Sequence, residues 1–375
     1  MPYSIAFDAK RITHNSTGLG NYGRYIVEIL SHYYPMNEYH LYTPGEGKES
    51  LKNKLPKGNN ITYHYPNGIN SFLKPIWRSF GIANDLKKQK PDIYHGLSNE
   101  LPFGLKKAGI PSLVTIHDLI FVRFPEFYKP IDRTIYNYKF RKACELGDRV
   151  IAVSEMTRQD IIKYYHIPEN KIDVVYQGCA PLFLKQASLE KRQRVTDKYN
   201  LPAHYILYVG SIEERKNLLL IVKALHKLNK DIRLIAIGKR TPYTEVVENY
   251  IRENRMGQQV TLLSNIPYED LPVFYQLASL FIYPSFFEGF GIPIIEALHS
   301  NIPVIAATGS CLEEAGGPDS LYVNPNDADD LSEKIDWVLS TPSVADRMRA
   351  AGKEYVKRFT DKQIADDLMA VYDKL

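Results

Sequence analysis

Short runs of β-branched and aromatic residues, each followed by polar or glycine-containing punctuation and most by an amphipathic stretch, recur along the chain. No other feature constrains the fold as much, because buried parallel strands joined by crossover helices read in this way. In the first half the strand-like runs are YSIAFDA (3–9), YHLYT (39–43), NITYHY (60–65), DIYHG (92–96), SLVTIHD (112–118), RVIAVS (149–154) and IDVVYQ (172–177). Helical patterns fall between several of them, at about 20–32, 71–90, 130–146 and 155–165.

From Gly178 to Tyr199 the periodicity fails and the chain is polar and mixed, and Asn200-Leu201-Pro202 then punctuates it. A second series follows: YILYVG (205–210), RLIAIG (233–238), VTLLS (260–264), LFIYPS (280–285), IPVIAA (302–307) and SLYVN (320–324). From Asp327 the pattern is wholly helical, and residues 343–359 and 361–373 are expected to reach back to the first half. The predicted architecture is α/β, two doubly wound halves. An N-terminal domain spans 1–185, a second spans 200–355, and 356–375 forms a C-terminal helix packing back on the first. Such sheets place ligands beyond the carboxyl ends of their strands, here in a cleft between facing halves.

Composition narrows the class. At 44% hydrophobic and 24% charged the 375 residues match ordinary globular usage, and no apolar run approaches a membrane span. The N-terminus lacks the layout of a signal peptide, and Cys144, Cys179 and Cys311 lack metal-ligand or CxxC spacing, so reduced thiols and a cytoplasmic setting are expected. Residues 1–185 hold 25 Lys and Arg against 17 Asp and Glu, whereas the remainder holds 22 against 26. The basic first half suits an anionic surface or a lipid-linked phosphate, or is simply a lysine-rich solvated face. No arginine-rich tract or recognition-helix pattern points to nucleic acid. The stretch 69–90 mixes Phe72, Leu73, Ile76, Trp77 and Phe80 with five cations, and reads either as a helix face buried on the sheet or as a membrane-resting surface.

The segment FFEGFGIPIIEAL (286–298) concentrates the chemistry. Gly289 and Gly291 permit a tight turn close to a ligand, and Pro293 suits the first turn of a helix. The free N–H groups of that turn favour an anion or hydroxyl-rich group in front of it. Glu288 lies in the opening, and Glu296 lies one turn into the helix among Ile294, Ile295, Ala297 and Leu298. A carboxylate there is costly unless hydrogen-bonded, and a ribose diol supplies two donors. The plainer alternative pairs Glu296 with a nearby cation and leaves Glu288 as a helix cap. Strand YILYVG runs into SIEERKN, putting Arg215 and Lys216 at a strand-to-helix junction, where two cations neutralise a diphosphate or merely pair with Glu213 and Glu214. Loops IGKRTPY (237–243) and SNIPYEDL (264–271), with Ile266, stand where a base would be held through backbone groups.

These residues resemble the retaining glycosyltransferases of family 4 with the GT-B fold, in a mannosyltransferase-like subgroup. The resemblance rests on Glu288-x7-Glu296 after YPS and on VGSIEERKN, together with TGLGNYGRY, TIHDL, VSEMTRQDI and GSCLEEAGG, and covers about 4–360. It implies that Glu288 and the amides of Gly289, Phe290, Gly291 and Ile292 lie against the donor sugar, and that Glu296 binds the ribose. It further implies that Arg215 and Lys216 bind the diphosphate and stabilise the leaving nucleotide. Ser211 stands where many members carry arginine, which leaves the phosphate role to Arg215. In the first domain the resemblance makes Gly18 and Gly20 a loop that closes towards phosphates and acceptor, with Asn21 and Asp118 on the acceptor side. His117 would face the sugar hydroxyls with Asp118 holding it, although a histidine ending an apolar strand is also a common structural residue. The implied reaction moves a hexose, best matched by mannose from GDP-mannose, to a saccharide or lipid-linked acceptor in cell-surface polysaccharide synthesis. No metal is expected, since Asp329-Asp330 and Asp366-Asp367 fall in helical regions. The rivals are a glycoside hydrolase using both glutamates, a sugar-nucleotide epimerase of similar fold, and a nucleotide-binding regulatory protein.

Overall fold

The computed structural model describes residues 2–56, 58–66, 76–228 and 230–375. The chain forms two compact units, Met1–Gln177 with Asp361–Leu375, and Gly178–Thr360. Among the described residues no helix is long and apolar enough to cross a membrane.

The first unit is built on seven parallel strands: β1 (Ser4–Asp8), β2 (Glu38–Tyr42), β3 (Ile61–His64), β4 (Ile93–Gly96), β5 (Ser112–Ile116), β6 (Arg149–Ala152) and β7 (Ile172–Val174), in the order β3-β2-β1-β4-β5-β6-β7. The second has six: β8 (Tyr205–Val209), β9 (Arg233–Ile237), β10 (Val260–Leu263), β11 (Leu280–Tyr283), β12 (Val304–Ala307) and β13 (Leu321–Val323), ordered β10-β9-β8-β11-β12-β13. Every strand-like run of the sequence forms a strand. Because helices cover both faces of a parallel sheet, each strand is apolar on both sides and stands out without alternation. Strand order reverses between β1 and β4 and between β8 and β11, the switch points where doubly wound sheets bind ligands.

In the first unit, helix Gly18–Tyr33 buries Tyr22, Ile26, Val27 and Leu30 in one core with Ile5, Phe7 and Leu41 of the sheet. The C-terminal helix Asp361–Tyr372 adds Ile364, Leu368 and Tyr372 to that core. Polar clasps flank it: the Tyr25 hydroxyl donates to Asp361 at 2.8 Å and the Tyr3 hydroxyl to Asp373 at 2.7 Å.

Several boundaries differ from the sequence reading. The first unit ends at Gln177 rather than 185, and the segment expected to be irregular contains helix Leu189–Tyr199, which belongs to the second unit. That helix buries only Val195, so it has no apolar period to read; the Ser188 hydroxyl caps it, accepting from the Lys191 N–H at 3.2 Å, and Lys198 reaches Asp270 at 3.2 Å. Residues 343–359 do not return to the first unit. Helix Pro342–Tyr355 and the turn Val356–Phe359 stay in the second, where Phe359 meets Phe290 at 5.5 Å and the Tyr355 hydroxyl donates to the Glu314 carbonyl at 2.8 Å. In the stretch 69–90, residues 67–75, with Phe72 and Leu73, lie outside the described residues. Trp77 is no surface anchor: it is 1% exposed and its indole N–H donates to Asp85 at 2.7 Å, while Ile76 and Phe80 are exposed.

Candidate active site

In the second unit the switch point gathers the predicted residues. Strand β8 ends at Val209, and a tight passage follows: the Gly210 N–H donates to the Ile237 carbonyl at 2.9 Å, and a Cβ on Gly238 would stand 1.8 Å from the Gly210 carbonyl oxygen. Ser211 is half-buried, its carbonyl accepting from the Tyr208 hydroxyl at 3.2 Å. A short 3-10 turn, Glu214–Lys216, then aims Arg215 and Lys216, and Asn217 leaves it in a left-handed conformation, φ +59°. The Asn217 amide fixes that exit by donating to the carbonyls of Pro284 at 3.1 Å and Pro325 at 2.7 Å.

Both cations converge on Glu288, beyond β11. Arg215 Nη1 lies 2.9 Å from Glu288 Oε2 and Lys216 Nζ 3.3 Å from Oε1. The hydroxyls of Tyr283 and Ser285 each donate to Oε1 at 3.0 Å. Burial would push the Glu288 carboxyl up, but the charges of Lys216 and Arg215 and hydrogen bonds from Arg215 and Tyr283 outweigh it and hold it near 2. Burial works against the Arg215 charge too, yet Glu288 and Glu213 raise its affinity for the proton. Arg215 therefore does pair with Glu213, at 2.9 Å, as the plainer alternative supposed, but it is shared with the buried carboxylate. Both oxygens of Glu288 are engaged by cations or hydroxyls.

From Glu288 the chain turns through Gly289 and Phe290 into helix Ile292–His299. Gly291 holds φ +136°, and a Cβ there would stand 3.0 Å from Ala315 Cβ and 3.2 Å from Leu312 Cδ2, so only glycine fits. Buried Cys311 ties the turn down: its sulfur lies 3.0 Å from the Glu288 carbonyl oxygen and 2.9 Å from that of Phe290. With those carbonyls turned towards the thiol, the loop keeps one orientation. Ile292, in the first turn, is half-buried.

Glu296 faces a different environment. It is 7% exposed, and among the described residues no cation pairs with it. The Tyr275 hydroxyl donates to Oε2 at 2.8 Å. Burial pushes its carboxyl up to about 8, the Tyr275 bond opposing only in part. The two glutamates of the E-x7-E pattern are thus one ionised and one neutral carboxyl at neutral pH. Rings stand nearby: Phe183 meets Tyr275 at 5.5 Å and Tyr268 at 6.0 Å, and Tyr268, itself exposed, follows half-buried Ile266 in the loop after β10.

In the first unit, Gly18 and Gly20 do not form a loop; they begin helix Gly18–Tyr33. Gly20 is obligatory, since a Cβ would meet the Asn15 carbonyl oxygen at 2.0 Å, whereas a Cβ on Gly18 meets nothing within 4 Å. The preceding loop is held by buried Arg24, which donates to the carbonyls of Ile12 at 2.6 Å and Asn15 at 2.9 Å and to the Asn21 side chain at 2.6 Å. His117, buried beyond β5, donates its backbone N–H to Asn99 at 2.8 Å. Its Nε2 lies 2.9 Å from the Leu97 carbonyl, which can only accept, so Nε2 carries the proton and Nδ1 keeps a lone pair, with the Gln177 amide nitrogen 3.5 Å away. Burial pulls the imidazole down to about 4, a neutral ring, with Leu97 opposing. The ring is fixed from Leu97, and the Asp118 carboxylate accepts from the Ile120 N–H at 3.2 Å.

Sequence reasoning did not find Tyr283, Ser285, Tyr275, Cys311, Arg24 or Asn99. Tyr283 and Ser285 had a local signal, standing five and three residues before Glu288 in the YPS that begins at the last residue of β11, and Cys311 lies in the GSCLEEAGG motif.

A cation pair and a helix N-terminus at the switch point of a doubly wound unit suit an anionic, phosphate-bearing ligand. The chain belongs to the glycosyl transferases group 1, whose family model matches residues 191–355, and a Glycosyltransferase Family 4 model matches residues 23–181. It is a glycosyltransferase. It is 31% identical over 296 residues to O-antigen chain mannosyltransferase B of Escherichia coli, covering 77% of this chain and 76% of that protein. It is 26% identical over 246 residues to O-antigen chain mannosyltransferase RfbU of Salmonella typhimurium, covering 66% of this chain and 65% of that one. Among solved structures, a glycosyltransferase from Rickettsia africae superposes with a TM-score of 0.78 at 21% identity, covering 100% of this chain and 98% of that one.

Proposed function

We propose that the chain transfers mannose from GDP-mannose, with retention of anomeric configuration, to a saccharide or lipid-linked acceptor in polysaccharide synthesis. The observation that carries the proposal is the convergence of Arg215 and Lys216 on one buried anion, Glu288, beside the N-terminus of helix Ile292–His299. In the reaction the donor diphosphate takes its place beside those cations. The bond from the anomeric carbon to the phosphate oxygen breaks, and Arg215, Lys216 and the helix N–H groups stabilise the charge left on the nucleotide. The acceptor hydroxyl attacks from the side of the leaving group, which takes its proton, so neither glutamate acts as a nucleophile. Glu288 orients the sugar and Glu296 the ribose. Gly18 and Gly20 face the donor phosphates and the acceptor, Asn21 and Asp118 serve the acceptor side, and His117 meets the sugar hydroxyls as a neutral ring.

Mannose is supported by the O-antigen mannosyltransferases this chain resembles, both similar over most of its length. With two side-chain cations to neutralise the diphosphate, the reaction we propose uses no metal, and it takes place on the cytoplasmic side of a membrane that holds the acceptor. A thermal-shift screen of GDP, UDP, ADP and dTDP with their common sugars tests the donor: GDP and GDP-mannose should stabilise most. Replacing Arg215 and Lys216 by alanine should lower donor turnover by about 10²–10³-fold; turnover unchanged in that variant refutes the assignment.

A further inference from the structure

Four charged side chains meet at the cation cluster of the second unit, two of each sign. Arg215 and Lys216 stand against Glu288, and Glu213 supplies the fourth charge, accepting from Arg215 Nη2 at 2.9 Å. The proposed reaction uses the first three and leaves Glu213 without a task. The turn Glu214–Lys216 does not need its side chain: backbone bonds close it, from the Lys216 N–H to the Glu213 carbonyl at 3.0 Å and from the Phe286 N–H to the Arg215 carbonyl at 2.9 Å. Arg215 does not need it for orientation either, since Nη1 is held by the Phe287 carbonyl and by Glu288. Glu213 is 38% exposed where Glu288 is 14% exposed, so one carboxylate stands at the rim and the other at the floor. Both act on one buried phenol: burial pushes Tyr208 up, Lys216 opposes, and Tyr283, Glu288 and Glu213 add to the rise. An ion pair open to solvent on one side adds little stability, and a carboxylate beside a phosphate-binding cation opposes the ligand.

The charge change of the reaction gives that opposition a use. At neutral pH a nucleoside diphosphate carries about three negative charges and its sugar ester about two, because the ester lacks the second ionisation of the terminal phosphate. Cations placed to stabilise the charge left on the phosphate oxygen therefore hold the product more tightly than the donor, and turnover then waits on release. We propose that Glu213 sets the affinity for the product nucleoside diphosphate: its carboxylate offsets the charge of Arg215 at the rim of the site, so the nucleotide leaves once the sugar has gone. Glu213 acts on the phosphates through space and through Arg215, and touches no reacting atom. The role rests on the transferase reading of Arg215 and Lys216 and adds to it the step that ends the cycle. A unit charge a few ångströms away in a largely solvated site weakens binding by about twofold per phosphate charge. Glu213→Gln keeps the acceptor for Arg215 Nη2 and loses the charge, so it should tighten GDP by about eightfold and GDP-mannose by about fourfold.

The test is calorimetric titration of the full chain and of Glu213→Gln with GDP, GDP-mannose and inorganic pyrophosphate, with thermal unfolding as the check on folding. Pyrophosphate should tighten at least as much as GDP, and all three differences should shrink near 0.5 M salt. GDP should also inhibit slow hydrolysis of the sugar nucleotide about eightfold more strongly in the variant. Glu213→Asp retains the charge on a shorter side chain and should bind GDP within about twofold of wild type, which separates the charge from the hydrogen bond. Equal GDP binding by wild type and Glu213→Gln overturns the inference, and so does weaker binding by the variant, which would make Glu213 a mere prop for Arg215. Pyrophosphate needs neither base nor sugar: if it alone binds, and binds Glu213→Gln more tightly, the role of Glu213 stands and the guanine donor falls. Pyrophosphate binding neither protein overturns the inference together with the cation seat.

Discussion

Glu296 gives the sharpest prediction, because burial rather than a partner sets its charge. Its carboxyl rises from an ordinary 4.5 to about 8. A raised acid favours the folded state while protonated: the contribution is whole below pH 4.5 and is lost as pH climbs through 8, because the unfolded chain releases a proton that the folded one retains. At about 1.36 kcal/mol per unit, a rise from 4.5 to about 8 is worth about 5 kcal/mol in full, and about 4 kcal/mol between pH 5 and 8.5. Glu296→Gln keeps an acceptor for the Tyr275 hydroxyl and cannot ionise. The variant should match wild type at pH 5 and exceed it by up to about 4 kcal/mol at pH 8.5, measured by chemical denaturation at both values. Binding should show the converse. A ribose diol donates best to an ionised carboxylate, so nucleotide binding at pH 7 should release a proton, seen by calorimetry in buffers of different ionisation enthalpy, and the variant should release none there. If the stability difference between the two proteins does not change with pH, burial of Glu296 is not what the geometry implies and the reasoning fails.

Gly20→Ala should destabilise the first unit by about 1–3 kcal/mol, because the new methyl meets backbone oxygens, whereas Gly18→Ala should be near neutral or slightly stabilising in the same thermal-unfolding measurement. Cys311→Ala should raise the donor KM several-fold with little change in unfolding temperature, and Cys311→Ser, which keeps a donor for the Glu288 and Phe290 carbonyls, should restore most of it. On acidification Glu288 should cost stability: its depressed carboxyl stabilises the fold above pH 4.5, and that contribution, about 3 kcal/mol, should vanish as pH falls through about 2, a loss absent in Glu288→Gln.

The strands were legible because burial on both faces leaves no choice of residue type, as in YILYVG and LFIYPS. The E-x7-E spacing was legible because turn, proline and helix are local. What the sequence hid was pairing at a distance. Arg215 and Lys216 look like solvated neighbours of Glu213 and Glu214, yet 72 residues separate Arg215 from the carbonyl of Phe287 to which it also donates. Tyr275 and Cys311 lie in separate elements from the segments they support, and no periodicity announces such contacts. Helix Leu189–Tyr199 was missed because a helix with one buried residue has no stripe. Trp77 resolves an alternative left open: an aromatic among lysines reads as a buried face or as a surface anchor, and its burial and bond to Asp85 decide for the first.

The central claim is that the cation pair seats a nucleoside diphosphate sugar and releases the sugar with its configuration kept. Proton NMR of the purified chain with GDP-mannose, whose sugar is α-linked, follows this directly at the anomeric carbon. The account predicts GDP together with an α-configured product before mutarotation, slowed by about 10²–10³-fold when Arg215 and Lys216 are alanine. A β-configured first product, or an intact nucleotide bearing an altered sugar, would contradict it.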